Sequence, residues 1–259
     1  MKQPLSVCYI SYNESDRIAV SINSVIDFAT QIVVIDSYSS DSTKEIAENL
    51  GADVFLSEWK GFVEQKNFAI NKANQDWILL LDCDEVVSDE LKQSIIDAII
   101  NDKIGFYSIN RKTHYLGKLM KYSWQPDRVV RLVHKSLNPK FKGELVHEKI
   151  DMKDNKSSSL SGNLIHYSYR NIREHFEKTT KYSELSALSY QKIGKKSKLV
   201  NLIINPLFAF INMYFFKLGI FDGWRGIIAA FSSMTGTFLK YAILRELNQT
   251  TSAHLPKSK

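Results

Sequence analysis

Short apolar runs alternate with helix-spaced segments over the first hundred residues, and two of those runs end in an aspartate. The runs are Leu5–Tyr12, Ile32–Ile35 before Asp36, Val54–Leu56, and Trp77–Leu81 before Asp82. Between them Ile18, Ile22, Val25 and Ile26 recur at helical spacing, as do Ile46 with Leu50, and Val63, Phe68 and Ile70. Ser42 and Glu45 have the spacing of a capping box, and Ser88 precedes Leu91, Ile95 and Ile99 as a helix start. Strands alternating with helices predict an α/β fold with a mostly parallel sheet covered on both faces. In such sheets ligands bind beyond the carboxyl ends of the strands, where Asp36, Asp82 and Asp84 fall.

Neither the glycine fingerprint of dinucleotide-binding folds nor a P-loop is present. The net charge of +6 is spread along the 259 residues, with one short cluster at Lys195, Lys196 and Lys198. No zinc-finger spacing or RNP-like run accompanies it, so nucleic acid is discounted as a partner. Cys8 and Cys83 both lie in apolar runs, which fits a reducing compartment better than a disulfide scaffold. The N-terminus lacks a charged segment followed by an apolar stretch and a cleavage site, so secretion is not expected.

From Gly105 to Ile150 the pattern turns to strands and loops, and Lys153–Ser161 reads as a polar linker. Asn171–Ile193 reads as an amphipathic helix on Ile172, Phe176, Tyr182, Leu185, Leu188 and Ile193. Leu199–Phe216 is uncharged but interrupted by Asn201, Asn205, Pro206 and Asn212, and Gly226–Leu239 is also uncharged. A span needs about 20 predominantly apolar residues, so the first stretch is marginal and the second too short. Helices lying in the membrane interface are the preferred reading; a buried pair packed on the rest of the chain is the alternative.

The chemistry concentrates in four segments. Asp82-Cys83-Asp84 follows a hydrophobic strand, and i, i+2 residues of an extended segment point the same way. Two carboxylates placed so can hold a hard divalent cation and leave positions for phosphate oxygens. Capping aspartates before a helix are the plainer account. Ser11-Tyr12-Asn13-Glu14 ends the first strand, and Val34–Thr43 carries Asp36 and Ser39 into a polar turn. Asp36 is placed to accept hydrogen bonds from a base or ribose, while for Ser42 ordinary capping is preferred. Gln65-Lys66-Asn67 sits on the helix before the fourth strand, where Lys66 is either a diphosphate contact or a solvated lysine.

In this order the four segments resemble the nucleotide-sugar domain of family 2 glycosyltransferases. Trp124–Arg128, Val130-Arg131-Leu132, Val146-His147-Glu148 and Lys217–Gly223 extend the likeness to bacterial lipopolysaccharide-core β-1,4-glucosyltransferases. The resemblance implies a GT-A nucleotide-sugar-binding fold over 1–165, a helical membrane-associating region over 166–250 and a polar tail over 251–259. It implies an inverting single displacement with a UDP-sugar donor (UDP-glucose), Mg2+ or Mn2+, and a lipid-anchored saccharide acceptor such as a core heptose. The enzyme would then work at the inner face of the cell membrane, against its lipids. Ser37 departs from the pattern, since many relatives carry a second acid there, which weakens a carboxylate contact at that position.

On this reading Tyr12, Asn13, Glu14, Asp36, Ser39, Lys66, Asn67, Asp82, Arg128 and Arg131 bind the donor, and Asp82, Asp84 and His147 hold the metal. Glu148 is the first choice of general base from its place in chain order, and Asp127 the second. Asp127 is otherwise a partner for Arg128 or Arg131, His147 a hydrogen-bonded structural histidine, and the two arginines surface ion pairs. A polyprenyl-phosphate glycosyltransferase would share the donor half and differ in acceptor. A nucleotidyltransferase lacks support because Leu5–Tyr12 has no glycine-rich start, and the acidic set argues against a non-catalytic nucleotide-binding scaffold on the membrane.

Overall fold

A computed structural model gives the fold, described for residues 1–101, 103–143, 148–153 and 155–253. The chain divides into two compact units: Met1–Thr113 with Pro126–Tyr167, and His114–Gln125 with the chain from Ser168 onward.

The first unit begins with β1 (Gln3–Ser11), α1 (Ile18–Asn23), β2 (Ala29–Asp36), α2 (Thr43–Asn49), β3 (Asp53–Leu56), α3 (Phe62–Lys72) and β4 (Trp77–Leu80). It continues through β5 (Glu85–Val87), α4 (Asp89–Ile100) and β6 (Phe106–Tyr115), whose end enters the second unit with β7 (Lys118–Leu119). It resumes with β8 (Arg128–His134), β9 (Phe141–Lys142), β10 (Lys149–Ile150) and β11 (Ser157–His166). The main sheet runs β3-β2-β1-β4-β8-β6-β11-β5, and β9 pairs with β10 apart from it.

β1 to β4 are mutually parallel, as the alternation predicts. Beyond β4 the sheet is mixed: β8 is antiparallel to β4 and β6, while β11 is parallel to β6 and antiparallel to β5. No helix crosses over between β6 and β8, so the chain returns in the opposite sense. The chain winds from β1 to β2 on one side and reaches β4 on the other, which makes the carboxyl end of β1 a switch point.

Alternate residues of the central strands feed opposite layers. Leu5, Val7, Tyr9 and Leu79 pack with Ile18, Ile22, Leu91 and Ile95, while Cys8, Val33, Ile35, Ile78 and Leu80 pack with Ala69 and Ile70 of α3. Burial on both faces is why these strands read as unbroken apolar runs. Truncating one such residue, as in Leu79→Ala, costs about 2–5 kcal/mol. Cys8 and Cys83 are free thiols in different layers. Burial pushes the Cys8 thiol up to about 12, against a small opposing pull from Lys135.

Three local expectations change. Ser42 precedes α2 without a side-chain cap; Asp41 instead accepts from the Thr43 N–H at 3.0 Å and from its hydroxyl, so the Ser42–Glu45 capping box is not made. Lys153–Ser161 is not a linker throughout, because β11 begins at Ser157 and pairs with Phe106 of β6. β5 follows the Asp82–Asp84 turn directly, a strand too short to show in the hydropathy pattern. Ser88 does cap α4, its hydroxyl accepting from Leu91 N at 3.3 Å.

The second unit packs α5 (Ile172–Lys192), α6 (Leu199–Ile211) and α7 (Trp224–Ala253) with the β6–β7 hairpin. Asn171 caps α5 by accepting from Glu174 N at 2.9 Å. α7 meets α5 closely at Gly236, whose carbonyl accepts from Ser183 Oγ at 3.0 Å. A Cβ at Gly236 would stand 3.1 Å from the Thr179 side chain. The Lys217–Gly223 segment is a tight turn: Asp222, almost wholly buried, accepts from the backbone N–H groups of Lys121, Tyr122 and Ser123 at 3.0, 3.2 and 2.7 Å.

Both apolar C-terminal stretches are helical, and the second exceeds the uncharged run that suggested a short segment. Leu199–Phe216 and Trp224–Thr250 are each long and apolar enough to cross a membrane, and only 11% and 22% of their hydrophobic windows are buried. Pro206 stays inside α6, and the helix continues as a π turn over Asn212–Phe216. Leu199, Val200, Ile203, Ile204, Leu207, Phe208 and Ile211 are all exposed, at the spacing of one helical stripe.

Candidate active site

At the carboxyl ends of β1 and β2, Ser11 and Asp36 are register partners. Asp36 is buried, and its carboxylate accepts from Ser11 Oγ at 2.9 Å, Ser39 N at 2.8 Å and Ser39 Oγ at 2.6 Å. Asn13, with φ of 55°, donates its N–H to Ser39 Oγ and accepts from Ser40 N through its side chain. The two strand ends are thus laced into one rigid rim, with Tyr12 and Tyr38 left exposed. Asp41 reinforces it: burial would raise its carboxyl, but hydrogen bonds from Thr43 and Ser15 hold it down at about 2.

Beyond β4 the chain turns through Asp82-Cys83-Asp84, and the two aspartates meet different partners. They lie past the strand end rather than within it, so the i, i+2 rule for extended segments does not govern their direction. Asp82 Oδ2 accepts from Arg131 Nη2 at 2.7 Å, and Oδ1 stands 3.5 Å from Lys66 Nζ. Lys66 also reaches Glu148 Oε1 at 3.1 Å. Burial would raise the Asp82 carboxyl, but Arg131, Lys66 and Arg111 outweigh it and hold the group well below the usual carboxylate range.

Arg131 turns the same Nη2 to Glu85 Oε1 at 2.5 Å, Arg111 Nη1 reaches that oxygen at 3.1 Å, and Arg111 Nε donates to Asp127 Oδ2 at 2.8 Å. Asp127, Arg111, Glu85, Arg131, Asp82, Lys66 and Glu148 therefore form one chain of alternating charge. Its two ends are the two residues named as candidate bases.

Asp84 faces elsewhere. Its Oδ2 lies 3.5 Å from Arg17 Nη1 and 3.4 Å from His166 Nε2, and Glu14 lies 4.0 Å from the same Arg17 nitrogen. Among the described residues no three His, Cys, Asp or Glu side chains converge as a metal cage. Asp84 and His166 are the described pair that could share a divalent cation, with its remaining ligands supplied from elsewhere.

The remaining expected site residues fall as follows. Asn67 is turned to β9, exchanging hydrogen bonds with the Phe141 backbone at 2.7 and 3.1 Å. Arg128 donates to Ser159 Oγ at 2.7 Å, and the partner of Asp127 is Arg111 rather than Arg128 or Arg131. Arg131 is buried and its guanidinium committed to two carboxylates, which holds it charged despite the cost of burial. His147 lies outside the described residues. Sequence reasoning passed over Glu85, Arg111, Arg17 and His166. Glu85 was adjacent to the acidic turn, but nothing in the sequence told it from a helix-entry acid.

A model of the family described as "Glycosyl transferase family 2" matches residues 6–154. A Rickettsia typhi protein described as an uncharacterized glycosyltransferase is 32% identical over 94% of this chain and 87% of its own length. A Rhizobium meliloti protein described as the lipopolysaccharide core biosynthesis glycosyltransferase LpsC is 27% identical over 96% of this chain and 93% of its own. Among solved structures, S. aureus TarS 1-349 in complex with UDP-GlcNAc aligns with a TM-score of 0.48 at 15% identity, covering 96% of this chain and 92% of that one. The family match and the full-length relatives agree with the mixed sheet and its acidic carboxyl-end rim: this chain is a GT-A glycosyltransferase belonging to family 2.

Proposed function

We propose that this glycosyltransferase moves a hexose, glucose being the first candidate, from a UDP-sugar to a lipid-anchored saccharide such as a lipopolysaccharide-core heptose, with inversion. The observation that carries this reading is the convergence of Asp82, Lys66 and Glu148 beyond β4, beside the rim built on Asp36. A cation, a carboxylate and a second carboxylate of independent origin meet there, as a diphosphate leaving group and an acceptor hydroxyl require. The similarity to LpsC favours a core-saccharide acceptor.

Asp36 and Ser39 would receive the nucleoside, and Lys66 the diphosphate. Asp84 with His166 would hold Mg2+ or Mn2+, which when bound neutralises charge on the leaving diphosphate. Glu148 would take the proton of the acceptor hydroxyl as its oxygen bonds to the anomeric carbon and the bond to UDP breaks on the opposite face. The α6 stripe and the Lys195, Lys196 and Lys198 cluster would hold the enzyme on the inner leaflet, where a lipid-anchored acceptor is concentrated.

The test is a donor screen with manganese, followed by transfer to core oligosaccharide and to polyprenyl phosphate in parallel. Product on core saccharide from UDP-glucose, analysed for anomeric configuration, supports the reading. Product only on polyprenyl phosphate replaces the acceptor, and retention of configuration overturns the single displacement.

A further inference from the structure

Glu85 is completely buried, yet it carries a carboxylate and touches nothing that reacts. Its backbone N–H donates to Asp82 O at 3.0 Å, and its Oε2 accepts from Asp82 N at 3.0 Å, so the two residues close the acidic turn reciprocally. Its Oε1 takes both arginines, Arg131 at 2.5 Å and Arg111 at 3.1 Å. Arg131 Nη2, held by Glu85, is the atom that also grips Asp82 Oδ2. Asp82 is therefore fixed twice, by its peptide and through a shared guanidinium. One carboxylate oxygen, Oδ1, is left turned toward Lys66.

We infer that Glu85 is a positioning residue for donor binding: by sharing Arg131 it stops that arginine from taking both oxygens of Asp82. A buried guanidinium seeks a full complement of carboxylate oxygens, and two-point pairing with a single carboxylate is its favoured geometry. With Glu85 neutral, Arg131 draws Asp82 into that pairing and Oδ1 swings away from the donor side. In Glu85→Gln one of the two oxygens becomes an NH2, so either the Asp82 N–H or the arginine pair loses its acceptor. Glu85 acts through Asp82 and Arg131, and the inference rests on Asp82 serving the donor.

The experiment compares Asp82→Asn, Glu85→Gln and Glu85→Asp in the full chain, with UDP and manganese as the probe. UDP affinity is read by calorimetry, acceptor KM by transfer, and folding by thermal melting. Glu85→Gln is expected to lose about tenfold or more in UDP affinity, the scale of one charge-assisted hydrogen bond, with acceptor KM unmoved. Glu85→Asp keeps the charge and draws it back by one methylene, so its loss is smaller but in the same parameter. If Glu85→Gln does not fold, Glu85→Asp decides. Lowered melting with wild-type UDP affinity in the folded Glu85 variants overturns the inference and leaves a purely structural role. Wild-type UDP affinity in Asp82→Asn overturns the donor-site reading itself; loss there with none at Glu85 sinks only the positioning role.

Discussion

Lys66 Nζ lies 3.1 Å from Glu148 Oε1 and 3.5 Å from Asp82 Oδ1, so one ammonium holds both a donor-site carboxylate and the residue proposed as the base. A diphosphate competing for Lys66 would free the Glu148 carboxylate for an acceptor hydroxyl. Glu148→Gln keeps the size and removes the basic oxygen. It should lower the chemical step by about 10²–10⁴-fold with UDP affinity nearly constant. Single-turnover transfer and calorimetry separate the two. A large loss in Asp127→Asn with little in Glu148→Gln would exchange the roles at the two ends of the charge chain.

Asp84 and His166 share a 3.4 Å approach away from the Asp82 cluster. Asp84→Asn, which keeps the size beside buried Arg17 and half-buried His166, should abolish transfer while the chain still melts cooperatively. His166→Ala should raise the manganese concentration needed for half-maximal rate and leave UDP binding without metal unchanged. Full activity in chelator would remove the metal from the reaction.

His175 is buried among the rings of Tyr115, Trp124 and Tyr169, with Nδ1 2.7 Å from the Tyr115 hydroxyl. Burial pushes its imidazole from 6.5 down to about 4. The neutral ring is the folded form, so its contribution is complete above 6.5. As pH falls from there toward 4, the unfolded chain takes up a proton that the folded chain refuses, and stability is lost. The loss is on the order of 2–3 kcal/mol. Melting between pH 7 and 4 in wild type and His175→Gln checks this: the variant should melt lower at pH 7 and fall less steeply. Equal slopes would discharge His175 from the acid response.

The exposed α6 stripe should bind bilayers. Full-length protein is expected to sediment with membranes and to resist a salt wash in part, because apolar insertion is far less salt-sensitive than headgroup attraction. Ile204→Glu with Phe208→Glu, at positions more than half exposed, should move it to the supernatant without unfolding it. Replacing Lys195, Lys196 and Lys198 by Glu should weaken binding at low salt, by about 1 kcal/mol per residue near the surface, and leave the remaining binding less sensitive to salt. Arg225 is turned inward, its guanidinium donating to the carbonyls of Leu116 and Tyr115. A wild-type protein that stays soluble without detergent would make this stripe an oligomer surface.

The parallel half of the fold was legible because β1, β2 and β4 are buried on both faces and read as apolar runs, and the edge strand β3 still carries Val54–Leu56. The mixed half was not: β5, β7, β9 and β10 have two or three residues each, too few for a period. Asp36, Lys66 and Asp82 stood out by position at strand ends and on the preceding helix. The groups around them did not: Arg17 meets Asp84, and Arg111 meets Glu85, across long stretches of sequence, and Glu85 is fully buried. The extent of α7 was hidden by Lys240, Arg245 and Glu246, which interrupt its apolar run without ending the helix.

The three N–H groups that Asp222 accepts lie about a hundred residues before it, in a hairpin that interrupts the first unit. A ribosome adding about 5–20 residues per second needs on the order of 5–20 s to cover that gap. Until then the backbone N–H groups of Lys121, Tyr122 and Ser123 lack the carboxylate that accepts them in the finished protein. A chain ended near Lys192 would keep this unfinished seam permanently. Loss of membrane binding in such a fragment would report arrested assembly as readily as a missing anchor, so the two units cannot be traded between relatives as cassettes without carrying residues 114–125 along.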